Sequence, residues 1–172
     1  MSNARLESGE MPGDITLRPI GVIHSPHQQP SQTPIQPVYA KGIEGTAEIF
    51  AQYAQGLRDL EGFSHIFLLY HFHRAAAAKL IVTPFLEDVE HGVFCTRAPC
   101  RPNPLGLSLV RLVRREGRLL RLQDMDILDG TPLLDIKPYV TRFDVRRQAV
   151  CGWQDSVDEE VARKRGSRAD GQ

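Results

Sequence analysis

The sequence has no surplus of charge: 21 basic and 21 acidic side chains leave a formal net charge of zero. Whole-molecule attraction therefore cannot draw it to a polyanion, and a nucleic-acid partner would need a local basic patch. Cysteine is scarce, and Cys95, Cys100 and Cys151 are an odd number at unrelated spacings. This argues against a disulfide framework and fits a reducing compartment, so the cytoplasm is the expected location. No run of about eighteen apolar residues is present, and the opening MSNARLESGEMPGD has no apolar stretch of signal-peptide length. Neither membrane insertion nor export by the usual route is expected. No GxGxxG follows a strand and no Walker-type Gly-Lys-Ser/Thr appears, so a nucleotide-like cofactor is not expected to bind in the Rossmann manner.

What is present suits one domain: 172 residues of which 41% are hydrophobic. Residues 1–14 read as a flexible polar arm, residues 15–150 as a β domain, and residues 151–172 as a frayed charged tail with only a short helical stretch around Val157 and Val161. Within the β domain, ITLRPIGVIHSP reads as a strand ending at Pro26, and a long loop rich in proline and glutamine, HQQPSQTPIQPVYAKG, follows. GTAEIF, HIFLLYHFHR, GVFCTR and PLLDIKPYV read as further strands, and LSLVRLVRREGRLLRLQDMDIL as a hairpin closed at Glu116 and Gly117. Tyr53, Leu57 and Leu60 fall on one helical stripe, with Gly62 as its terminator. Roughly six or seven strands with one or two helices predict a mainly β fold, a small closed or nearly closed mixed barrel.

Three stretches carry candidate chemistry. A period of two along HIFLLYHFHR puts His71 and His73 on one face. That pair admits three readings: the start of a zinc site lacking its other ligands, ordinary histidines at a strand end, or a polar site at the barrel mouth where His73 and Arg74 end the apolar run. No metal is expected. GVFCTRAPCRPNPLG sets Arg97, Arg101, Asn103 and three prolines between apolar strands. Proline restricts its own backbone and that of the preceding residue, so this is a stiff turn. Its guanidiniums suit a carboxylate, a phosphate or an adenine face, or are merely solvated. In DMDILDGTPLLDIKPY, Asp126, Asp129 and Asp135 stand near Lys137 and Tyr139. Asp129 precedes a glycine, so it is either the turn residue alone or part of a corner offering carbonyls and a carboxylate to an amino-bearing ligand.

Taken in order, IGVIHSP, the TPIQP loop, LRDLEGFSHIFLLYHFHR, GVFCTRAPCRPNPLGLSLVRL and LDGTPLLDIKPYV resemble the motifs of the TsaA-like, or TrmO, family (YaeB-like) over about residues 15–144. The resemblance implies a single-sheet β-barrel methyltransferase, a homodimer with S-adenosylmethionine near the subunit interface, that methylates N6 of threonylcarbamoyladenosine beside the anticodon of tRNA. Carried over by motif, it implies cofactor contacts at Gln36, His73, Arg74, Arg97, Leu107, Asp126, Ile127, Leu128 and Asp129. His73 and Asp126 are the candidate proton acceptors, and Arg101, Asn103, Lys137 and Tyr139 the residues expected to face the substrate. The arginines at 111, 114, 115, 118 and 121, with Arg142, Arg146 and Arg147, are either the basic patch that tRNA requires or solvated side chains on a hairpin. Two other functions fit the same residues: a methyltransferase of this pocket with another substrate, and a non-catalytic barrel that binds adenosine or RNA.

Overall fold

The computed structural model describes residues 14–168, so the expected N-terminal arm lies almost wholly outside the described residues. Eight strands form, β1 Gly21–His24, β2 Glu44–Ile49, β3 His65–His71, β4 Ile81–Val82, β5 His91–Gly92, β6 Leu105–Glu116, β7 Leu119–Gln123 and β8 Thr131–Pro138. Two short helices follow, α1 Thr141–Asp144 and α2 Glu159–Ser167. Six strands close into one barrel in the order β1-β2-β7-β6-β3-β8, and every ladder is antiparallel. The predicted single-sheet barrel is thus present. Closure leaves no strand edge in the barrel without a partner. No described helix is long and apolar enough to cross a membrane.

Alternation decides which side chains fill the barrel. On β3 the inward set is Ile66, Leu68 and Tyr70, and on β6 it is Gly106, Ser108, Val110 and Leu112. Ile23, Ala47, Ile49, Leu120, Leu122 and Leu133 complete the core. The β6–β7 turn holds Gly117 and Arg118, one residue later than expected, because Glu116 pairs directly with Leu119. Gly117 alone has positive φ, at 61°, as a two-residue hairpin loop of type II′ requires.

Several predicted elements take other forms. The helix expected around Tyr53 and Leu60 is two 3-10 segments, Ala51–Leu57 and Leu60–Gly62, divided where Asp59 enters the left-handed region at φ 65°. Its apolar stripe is nevertheless used, since Leu57 is buried and Tyr53 and Leu60 pack on the core. GVFCTR pairs only at His91–Gly92. Beyond that, Thr96 Oγ1 donates to the Val93 carbonyl at 2.9 Å and the chain coils into a 3-10 turn, a local bond that competes with a ladder. The first strand is short because Pro19 has no amide to donate, and Ile15 and Leu17 lie exposed before it. In the C-terminal segment, of which residues 169–172 lie outside the described residues, α2 forms where a frayed tail was expected, and Asp158 caps it by accepting from the amides of Glu160 and Val161.

Gly106 is where size matters most. A Cβ there would lie 2.2 Å from Cε2 of Tyr70, whose ring covers the glycine inside the barrel. Gly106→Ala is expected to lose about 1–3 kcal/mol in urea unfolding by overpacking; an unchanged midpoint would contradict this contact.

Candidate functional site

One end of the barrel is closed by the loop between β7 and β8. Asp124 adopts a left-handed backbone, φ 67°, which aspartate tolerates better than most residues, and its Oδ1 accepts the Gly42 amide at 2.8 Å. The chain then crosses the barrel end, and Met125 and Ile127 drop into the core at 0% and 1% exposure. Asp126, between them, is buried as well. The segment after β1 ties the loop down. Ser25 Oγ donates to the Ile127 carbonyl at 2.5 Å, His27 Nε2 to the Met125 carbonyl at 2.8 Å, and the Ser25 amide to Asp129 Oδ1 at 3.1 Å. Partial burial would raise the Asp129 carboxyl. The Ser25 amide, the Gln28 side chain and His24 outweigh it and hold Asp129 below the usual carboxylate range. Asp129 is thus committed to the corner it builds, and the carboxylate left uncommitted is Asp126.

Beneath Asp126 lies a buried pair of hydroxyls, Tyr70 and Ser108, 3.0 Å apart. Burial, opposed by the Ser108 hydroxyl, the Asp126 backbone and the Arg97 charge, pushes the Asp126 carboxyl up to about 7. Burial and the neighbouring carboxylate also raise the Tyr70 phenol, which stays protonated. Among the described residues, Asp126 Oδ1 is buried without any hydrogen-bond partner. Leaving a buried acceptor unpaired costs about 1–3 kcal/mol, so such an atom marks the place of a missing donor.

The other candidates gather around this floor. His73 leaves strand β3 by a tight turn, its amide donating to the His71 carbonyl at 2.7 Å. That turn, and not the expected period of two, sets its ring 3.3 Å from Thr131 Oγ1, which itself donates to the Leu128 carbonyl at 2.6 Å. Desolvation first, then the Arg74 and His71 charges, lower the His73 imidazole below its ordinary range. Arg74 donates to the Gln28 carbonyl at 3.0 Å. From the far side, Arg97 reaches Gln36 Oε1, joining the stiff turn to the TPIQP loop. Gln36, His73, Arg74, Arg97 and residues 126–129 therefore meet at one barrel end.

Five expected residues are not bonded to this group within one chain. Arg101 is turned inward on its own loop, donating to the Val93 carbonyl at 3.3 Å, and so stiffens the turn. Leu107 points out of the barrel, next to the inward Ser108. Lys137 and Tyr139 sit at the opposite end of β8 from Thr131, where Lys137 pairs with Phe67 and Asp135, and the Tyr139 ring packs edge-on against Phe67. Asn103 stays exposed in the turn before β6. Among the described residues, no group of three or more His, Cys, Asp or Glu is placed to hold a metal.

The profile of the tRNA-methyltransferase O N-terminal domain matches residues 22–145, most of the chain. The chain belongs to the TrmO family. A probable S-adenosyl-L-methionine-binding protein of Pyrococcus abyssi (strain GE5 / Orsay) is 55% identical over 161 residues, 94% of this chain and 86% of that protein. The tRNA (adenine(37)-N6)-methyltransferase of Escherichia coli (strain K12) is 39% identical over 70% of this chain and 56% of its own length. A crystal structure of TrmO from Pseudomonas aeruginosa superposes with a TM-score of 0.69 at 39% identity, over 81% of this chain and 62% of that one. The chain thus spans less than two thirds of this TrmO structure and of the Escherichia coli enzyme.

Tyr70 and Ser108 went unnoticed in the sequence. Ser108 carried a signal, being the one hydroxyl among Gly106, Val110 and Leu112 on the inward face of β6. The buried carboxyl beside it yields a test. Between the ordinary 3.8 and about 7 the folded state holds a proton that the unfolded chain has lost, so stability falls as pH rises through that window. Asp126→Asn removes the titration. Above pH 7 it is expected to be more stable than the parent by an amount on the order of a few kcal/mol in urea unfolding; parallel pH profiles would contradict a proton held there.

Proposed function

We propose that this chain is an S-adenosylmethionine-dependent methyltransferase acting on N6 of threonylcarbamoyladenosine beside the anticodon of tRNA. The observation that carries the reading, in a chain of this family, is the buried Asp126 Oδ1 without a donor, at a barrel end where Arg97 and Gln36 meet. The donor set fits the cofactor: an adenine amino group suits a carboxylate acceptor, and a methionine carboxylate suits a guanidinium such as Arg97 or Arg74. When bound, S-adenosylmethionine supplies an electrophilic methyl group.

The residues of the chain have two tasks. N6 of the substrate is a poor nucleophile because its lone pair is delocalised into the ring, so holding it in line with the methyl group is the first. Accepting the N6 proton is the second. His73, held neutral at neutral pH, and Asp126, titrating near 7, are the two groups suited to it. Asn103, exposed in the turn before β6, is assigned to the substrate side in this reading.

Two features support the partners. The hairpin arginines are largely paired: Arg114 and Arg121 with Glu116, Arg115 with Glu61, Arg118 with Glu48. Arg142, Arg146 and Arg147, in the exposed segment after β8, make no ion pair among the described residues and are the better phosphate contacts. Lys137 and Tyr139, remote from Asp126 in one chain, and Leu107, turned away from it, share the outer face of β6, β3 and β8 with Phe67 and Leu69. Leu107 is 46% exposed there, which favours a homodimer whose second copy brings this face to the site.

Incubation with S-adenosylmethionine and tRNA containing threonylcarbamoyladenosine, followed by mass spectrometry of the nucleosides, is expected to show the N6-methylated product. Cofactor binding without transfer to this tRNA would reject the substrate and favour the adenosine-binding barrel. His73→Ala and Asp126→Asn divide the proton acceptor: the variant that keeps turnover with normal cofactor binding is not the base. Replacing Arg146 and Arg147 together by alanine is expected to raise KM for tRNA and reduce the salt slope of binding by about two, with KM for the cofactor unchanged; an unaltered salt slope would remove these arginines from the interface.

A further inference from the structure

The family match ends at residue 145, yet the chain beyond it touches both loops that border the site. Trp153 stacks on the His91 ring, with centroids 5.1 Å apart, and its Nε1 donates to the Cys95 carbonyl at 2.9 Å, two residues before Arg97. Arg165 of α2 forms two bonds to Asp88, at 3.0 and 3.1 Å. On the other loop, the Ile35 amide donates to the Gly166 carbonyl at 3.0 Å, one residue before Gln36. Gly166 is pressed onto the Tyr39 ring, where a Cβ would stand 2.5 Å from Cδ2, and the Tyr39 amide donates to the Gln36 carbonyl at 3.0 Å. Arg168 then donates to the Pro30 carbonyl and lies 3.8 Å from the centre of the Phe85 ring.

From these contacts we infer that residues 152–168 are a strap that positions Gln36 and Arg97 for the cofactor, with Trp153 and Gly166 as the positioning residues. Neither loop has a strand ladder at those positions to fix it. The Gln36–Arg97 bond joins two loops that are separately mobile in principle, and the strap is the element bonded to both. Each exposed contact is weak alone, as exposed ion pairs are, but they act on the same two loops and any one holds the others in reach. By linkage, a ligand that needs the loops together must in turn tighten the strap. The inference rests on the cofactor reading above for its ligand, although the bracing of the loops does not.

Trp153 is the sole tryptophan of the chain, so its emission reports the strap directly. In the full chain, Gly166→Val is expected to make Trp153 more accessible to acrylamide, and Trp153→Ala provides a second variant that opens the other anchor. In both, calorimetry is expected to show S-adenosylmethionine binding weakened roughly tenfold, and amide exchange should quicken in residues 35–40 and 95–98 while the barrel strands exchange as in the parent. Leu120→Ala, in the core, serves as the control: it should lower stability without changing cofactor affinity. Cofactor affinity within about twofold of the parent in both variants, with the loops exchanging faster, would overturn the strap as a positioning device. If the parent itself binds no S-adenosylmethionine, the cofactor reading fails separately, and loop exchange unchanged in both variants would then overturn the bracing as well.

Discussion

The structure turns on the burial of one acid. One end of the closed antiparallel barrel is covered by a segment that runs Met125, Asp126, Ile127, so two core side chains carry a carboxyl between them into the interior. Everything around it answers that constraint. The segment after β1 supplies hydrogen-bond donors for the loop's carbonyls and for Asp129, and Ser108 and Tyr70 lie under the carboxyl from the barrel side. What the described residues do not supply is a donor for Asp126 Oδ1. An acid in this state is buried like a core residue yet keeps the unmet hydrogen-bonding capacity of a surface one.

The same burial explains why the site is sharp although its rim is made of loops. The floor is set by strand register, since Ser108 and Tyr70 stand on neighbouring strands in a fixed pairing. The walls, Gln36 and Arg97, arrive on long connections whose order comes from hydrogen bonds between side chain and backbone. A rigid floor with walls that are braced separately allows ligand entry without disturbing the core.

Much of this was legible from residues alone. The alternation in β3 and β6 is visible in HIFLLYH and LGLSLVRL, because a barrel wall has one apolar and one exposed face. The stiffness of the motif turn was equally plain, since proline restricts its own backbone and that of its neighbour, whereas the use of its arginines was not. Three things escaped. A period of two does not say where a strand stops, so His73 was put on the face of His71 when a tight turn swings it to Thr131. Helical spacing does not reveal a left-handed Asp59 that splits a helix into 3-10 turns. And the polar C-terminal stretch looked loose because its anchoring is done by Trp153 and Gly166, one aromatic and one residue without a side chain, whose partners are about 60 and 130 residues away in sequence.

The ladder that seals the barrel joins Gly21 of β1 to Leu133 of β8. Those partners are separated by 112 residues, 133 minus 21, so the seam is a contact of high sequence separation whose loop entropy must be met before it forms. During synthesis the first strand has to wait for the last to leave the ribosome, and only afterwards can residues 152–168 settle on the loops. The order of translation thereby makes the docking of residues 152–168 the last step available to the chain: a nascent chain can hold a finished wall of strands before its C-terminal segment reaches the loops.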